Sequence, residues 1–284
     1  MVRDREKYLE RDPRFAALYG SPEARMATAP EVTAHMAEAG VEVSVVFGYA
    51  FADQGLCRLV NDYVIEAVAA DPRRLVGLAC VWPEGAGAAA EVERCLRAGL
   101  RGCGELVLEA WASEAAAAGG RGAASGRGRG RVGGGRPGLD GLLEIAELLR
   151  RHQAPLLVHA NEPVGHAYPG KGPFGPQACV ALAETLPGLS LVFAHLGGGA
   201  FLYEAMPEVR AILADAYYDT SAVPYLYRTG IYQAVLATAG PGKLIFGSDY
   251  PLLSPGRYAE GLGSLPPVER EAVCAGNARK VFGI

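Results

Sequence analysis

The chain has 284 residues, half of them hydrophobic and 20% charged, with a formal net charge of −4. That is enough apolar material for a large core, which excludes global disorder, and the acidic balance gives no reason to expect nucleic acid or an anionic membrane as partner. A single (β/α)₈ barrel needs about 250 residues, so one domain over 1–284 accounts for the whole length.

The first fifteen residues, MVRDREKYLERDPRF, carry charges of both signs and no apolar region. They predict a charged helical segment and not a secretory signal. Seven short apolar runs follow: 43–48 (VSVVFG), 75–81 (LVGLACV), 104–108 (GELVL), 155–160 (PLLVHA), 189–196 (LSLVFAHL), 216–221 (AYYDTS) and 243–249 (KLIFGSD). Each is bounded by Gly, Pro or Asp and is nearly continuous in hydrophobicity, the pattern of strands covered on both faces in a parallel sheet. Amphipathic stretches alternate with them, at 30–39, 57–70, 86–98, 139–151, 177–185 and 200–214. This alternation predicts an α/β fold with right-handed crossovers, a TIM-like (β/α) barrel that lacks its first strand.

The segment 113–138 breaks the pattern, with Gly, Arg and Ala in place of large apolar residues. It is predicted to be a flexible insertion in the loop after the third run. Its RGRGR motif also suits RNA, a reading that an acidic chain does not favour. Cys57, Cys80, Cys95, Cys103, Cys179 and Cys274 contain no C-x-x-C pair, so inert buried thiols in a reducing cytoplasm are expected over disulfides. No apolar run reaches the roughly 18 residues of a membrane span, and a cytoplasmic protein is expected.

Three polar residues end apolar runs: His159, His195 and Asp249. In a parallel barrel the carboxyl ends of the strands meet at one mouth, where such side chains ligate metal or move protons. Any one of them alone reads as a hydrogen-bonded structural residue; together they read as a site. Glu105 puts a carboxylate inside an apolar run and needs a partner there. That partner is either an Arg or Lys inside the barrel or a metal centre. The loop after His159 holds Glu162, His166, Tyr168 and Lys171, which are candidates for contacting an acidic substrate or for a plain solvated turn. Asp219 reads as a strand-end residue bonding backbone groups. His35 and His152 read as structural or solvated, and Trp82, Tyr49 and Phe51 as lining or packing residues.

The stretches LLVHANEPVGHAYPGKG, LVFAHLGGG, YYDTSA and LIFGSDYP, with the closing GNARKVFG, resemble the later strands and terminal helix of the amidohydrolase superfamily. The resemblance is to the branch that includes aminocarboxymuconate-semialdehyde decarboxylase, and it extends to the early region before 51. It implies a metal-dependent hydrolase or non-oxidative decarboxylase of a small carbonyl- or carboxylate-bearing molecule. A divalent metal, zinc, is implied as cofactor, and a homodimer is a further possibility the branch raises. His159 matches a metal ligand. His195 matches a second ligand or a proton-moving residue, and Asp249 a ligand or general base. The branch also carries a His-x-His on its first strand, and no His-x-His occurs here. Two expectations follow: either that strand lies upstream of Met1, or the metal site is remodelled and the chain serves as a ligand- or partner-binding protein.

Overall fold

The computed structural model describes residues 1–109, 112–113, 137–165, 167–168 and 171–284. The expected insertion at 113–138 and His166 lie almost wholly outside these described residues. The N-terminal segment forms two short helices, α1 (Arg5–Leu9) and α2 (Pro13–Tyr19), followed by α3 (Ala29–Ala39). Then come β1 (Ser44–Val46), α4 (Gln54–Ala70), β2 (Leu75–Gly77), α5 (Ala88–Arg97) and β3 (Cys103–Leu106). The second half runs α6 (Pro137–His152), β4 (Leu156–Val158), α7 (Pro176–Thr185), β5 (Leu191–Phe193), α8 (Pro207–Ile212), β6 (Ala216–Asp219), α9 (Ile231–Thr238), β7 (Leu244–Ile245) and α10 (Asn277–Phe282).

All seven apolar runs contain a strand, and every pairing is parallel. The order is β1–β2 in one sheet and β3 to β7 in the other, and a parallel bridge from Ala79 to Cys103 joins the two. Consecutive strands are thus spatial neighbours throughout, as right-handed βα crossovers require.

Side chains alternate between two apolar layers, as the two-residue strand period demands. Val46, Leu75, Leu156, Leu191, Tyr218 and Leu244 pack outward with the helices in the largest core cluster. Val45, Val76, Leu157, Val192, Tyr217 and Ile245 face inward and share a second cluster. Val281 and Phe282 of α10 belong to that inner cluster. Asn277 holds α10 at the strand-start end by donating to the carbonyls of Pro241 and Leu244, both at 2.7 Å. The C-terminal helix therefore lies across the strand-start end of the barrel.

Two predicted helices differ from expectation. The stretch at 57–70 begins at Gln54, because the Asp53 side chain accepts the Gly55 N–H and starts the helix a turn earlier. The stretch at 200–214 is not one helix. Residues 196–199 take left-handed conformations, and only α8 is α-helical. Three consecutive glycines allow that turn, and Pro207 restarts the helix.

The six cysteines are free thiols; five are buried, while Cys274 is exposed, contrary to the expectation for all six. Burial pushes the Cys57 thiol up to about 12. Phe51, Tyr49, Phe15, Tyr8 and Tyr19 form one aromatic packing cluster under the N-terminal helices. Among the described residues no helix is long and apolar enough to cross a membrane.

Candidate metal centre

The inward layer carries the site. His159 is two residues past Leu157, and Asp219 two past Tyr217, so the same period that fills the barrel also turns these side chains into its mouth. Glu105 reaches the same point from β3.

Three ligand-type groups converge: ligand atoms of Glu105, His159 and His195 all lie within 4.8 Å of one another. Glu105 Oε1 is 2.6 Å from His159 Nδ1 and 3.7 Å from His195 Nε2, and the two imidazole nitrogens are 3.2 Å apart. The Arg or Lys partner weighed for Glu105 is not what the fold supplies. Among the described residues its ion-pair partners are the two histidines. Burial alone opposes its charge, but the hydrogen bond from His159 and the potential of both histidines outweigh that and hold Glu105 below the ordinary carboxylate range.

A sharp left-handed turn delivers His195. His195 and Leu196 both have φ of 56°, and the run continues through the three glycines. Such φ values are uncommon for residues with a Cβ and recur where a site holds the backbone. Gly198 has φ of 58°, and a Cβ there would collide with the carbonyl of Asn161. The loop after β5 therefore lies directly against the loop after β4, which brings the two histidines together.

The far side of His195 is fixed. Its backbone N–H donates to Asp219 Oδ1 at 3.0 Å, and its Nδ1 is 3.0 Å from both the carbonyl oxygen and the hydroxyl of Ser221. The Ser221 hydroxyl donates to Asp219 Oδ1, which also accepts the Ser221 N–H at 2.9 Å. The Ser221 carbonyl has no proton to give, so Nδ1 of His195 carries one and Nε2 turns to the centre. Burial works to lower the pKa of His195. The carboxylates of Glu105, Asp249 and Asp219 and the bond to Ser221 overcome it and raise the value to about 9.

Asp249 stands at the end of the β7 run with φ of 58°. Its carboxyl is raised by burial and by Glu105 and Asp219, against the opposing pull of His195 and His159. It shares the site's field but stands outside the three-residue cluster. Asp219 is likewise raised, chiefly by burial. Of the loop candidates, Tyr168 donates toward Asn161 and Glu162 at 3.1 and 3.3 Å, and Lys171 Nζ donates to the Val164 carbonyl at 2.8 Å.

Three residues of the site were not singled out from the sequence: Asn161, Ser221 and Tyr19. Asn161 and Ser221 each lie two positions past a strand-end polar residue, in HAN and DTS, and that spacing is the available signal. Tyr19 packs against Phe15 and Tyr49. Burial raises its hydroxyl, as do the nearby Asp249 and Glu105. Nothing in its local sequence marks it. His35 stacks on Tyr250 with centroids 4.4 Å apart, and His152 is exposed at the end of α6.

The donor chemistry fits a divalent cation. Two imidazole nitrogens and one carboxylate oxygen face a common point, with the carboxyls of Asp219 and Asp249 beside them and, among the described residues, no Arg or Lys acting on either.

Solved structures share the fold. The chain is similar to 5-carboxyvanillate decarboxylase from Sphingomonas paucimobilis, with a TM-score of 0.68 and 17% identity over 95% of this chain and 89% of that one. It is similar to a dihydroxybenzoic acid decarboxylase from Polaromonas sp. JS666, crystallised with manganese and 2-nitroresorcinol: TM-score 0.60, 18% identity, 96% of this chain and 90% of that one. It is also similar to 4-oxalomesaconate hydratase from Rhodopseudomonas palustris, with a TM-score of 0.59 and 17% identity over 98% of this chain and 89% of that one. No curated protein matches. The model of the family described as Amidohydrolase matches residues 8–284, and the chain therefore belongs to that family.

Proposed function

We propose that this chain is a metal-dependent enzyme that hydrolyses or non-oxidatively decarboxylates a small carbonyl- or carboxylate-bearing molecule. The observation that carries the reading is the convergence of Glu105, His159 and His195 at the mouth of an amidohydrolase-family barrel. The fold neighbours named as decarboxylases and as a hydratase support both branches of chemistry, and the manganese in one of them supports a divalent ion. Two imidazoles with one carboxylate and an open position also suit zinc, which we take as the ion here.

Glu105, His159 and His195 would hold the ion. A divalent cation there polarises a substrate oxygen and makes water a stronger acid. The chain supplies the rest. Ser221 and Asp219 lock the ring of His195, so Nε2 has one orientation. Asp249 is the proton carrier: its raised carboxyl, when ionised, takes a proton from attacking water. When protonated, the same group returns a proton to the carbon that carbon dioxide leaves. One side chain therefore serves either reaction.

Elemental analysis of freshly purified protein should find about one divalent ion per chain. Asp249→Asn should lower turnover by a factor of about 10²–10⁴, measured as carbon dioxide release or hydrolysis on a panel of small carboxylates, amides and lactones. A chain that holds no ion, even after dialysis against zinc or manganese, would end this reading.

A further inference from the structure

We propose that Asn161 and Tyr168 are positioning residues of the metal centre, holding a proton on His159 Nε2 so that Nδ1 is the atom turned to Glu105, His195 and the ion. This rests on the metal-centre reading above and deepens it.

Asn161 is only 2% exposed, so its amide has little access to water. Its Oδ1 meets two donors, His159 Nε2 at 3.3 Å and the Tyr168 hydroxyl at 3.1 Å. An amide oxygen offers lone pairs and no proton, so His159 Nε2 and the Tyr168 hydroxyl both donate to it; Nδ1 is left for Glu105, and an ion that displaces the proton shared there finds Nε2–H still held by Asn161. Asn161 is itself held in place. Its N–H donates to the Phe174 carbonyl at 2.7 Å, and its own carbonyl abuts Gly198.

Tyr168 is held from the other side. Its hydroxyl is 3.3 Å from Glu162 Oε2, and the Lys171 ammonium sits 5.6 Å from its ring centroid while donating to the Val164 carbonyl. A continuous chain of contacts therefore runs Glu162–Tyr168–Asn161–His159–Glu105. Glu162 Oε2, the Tyr168 hydroxyl and Lys171 Nζ each have a hydrogen-bond partner in this loop or on Asn161. Their part is to hold a ligand rather than to touch substrate. The device mirrors the one across the site, where Ser221 fixes the opposite nitrogen of the other histidine.

Zinc affinity, measured by chelator competition on variants with native circular dichroism, tests the proposal. Asn161→Leu removes the acceptor and should weaken zinc by about 10–100-fold. Asn161→Asp keeps an acceptor at the same place and should restore most of that loss. Tyr168→Phe, which removes only a hydroxyl, should weaken zinc by about three- to tenfold. Wild-type affinity in folded Asn161→Leu, or an equal loss in the Leu and Asp variants, would overturn the proposal. If Asn161→Leu does not fold, unchanged zinc affinity in Tyr168→Phe overturns it.

A second readout needs no metal. Ring NMR of labelled histidine should show the His159 Nε2 proton protected from exchange in the wild type and exposed in the variants; equal exchange rates would overturn the proposal. A protein that protects this proton but binds no ion would lose the metal reading and keep the positioning role.

Discussion

Two glutamates 14 positions apart, Glu91 buried and Glu105 half-buried, show how this fold separates stability from chemistry. Glu91 on α5 is matched at every oxygen. Oε1 accepts from Asn61 at 2.9 Å and Arg94 at 2.7 Å, and Oε2 accepts from Arg94 Nε at 2.8 Å. Asn61 in turn ties this group to the backbone of Cys80, at 2.8 and 3.0 Å. Glu105 on β3 has instead two imidazoles, groups whose charge depends on a proton. A carboxylate paired with a permanent guanidinium is a fixture. One facing two ring nitrogens can exchange the proton between them for a cation. The difference follows the strands: β3 to β7 and the loops after them carry the site's clustered groups, while the elements around β1 and β2 carry the matched network and aromatic packing.

The largest effect that tests this contrast is His159→Ala. It should abolish metal retention at stoichiometric ion and reduce turnover by at least about 10²-fold, while unfolding in urea stays near wild type. If that variant instead unfolds readily and keeps its ion, the two glutamates are not different in kind.

The next effect should appear on the other side. Arg94→Ala leaves Glu91 and Asp62 without their shared cation and should cost about 3 kcal/mol in denaturant unfolding, with the ion count unchanged. Glu91 also gives a pH signature. Burial opposes its charge, but Arg94, Asn61 and Cys95 hold its folded pKa below the ordinary 4.5. Its stabilisation is therefore complete above pH 4.5 and is lost as pH falls through the lower folded value. Glu91→Gln should flatten that acid limb of the stability curve. An unchanged slope below pH 4.5 would show that the network does not contribute it.

The smallest effect joins both properties at one position. Gly198→Ala places a Cβ at φ of 58° against Asn161. It should cost about 1–3 kcal/mol and also weaken metal binding, because the two histidine loops must separate. Stability lost with metal affinity intact would show that the close approach of the loops is not what sets the ligand distances.

Much of this was open to reading along the chain. The seven runs are the seven strands, because strands buried on both faces require continuous apolar residues. His159 and His195 were visible as polar residues closing such runs, where no core need explains them. Glu105 was visible as a charge inside one, with its partner undetermined. The helix expected at 200–214 failed, because the chain is a 3₁₀ helix as far as Ala205 and extended at Met206, and Pro207 opens a separate helix, a break that periodicity does not register.

Sequence alone determined the alternation of strand and helix, the parallel order that alternation forces, and the presence of metal-type residues at strand ends. These depend on neighbours along the chain and on a two-residue period. Tertiary structure decided which groups meet. Glu105 is 54 positions from His159, and Ser221 is 26 from His195. Which ring nitrogen faces inward depends on acceptors delivered by other loops, and no local pattern encodes a contact that exists only once the barrel has brought those loops together.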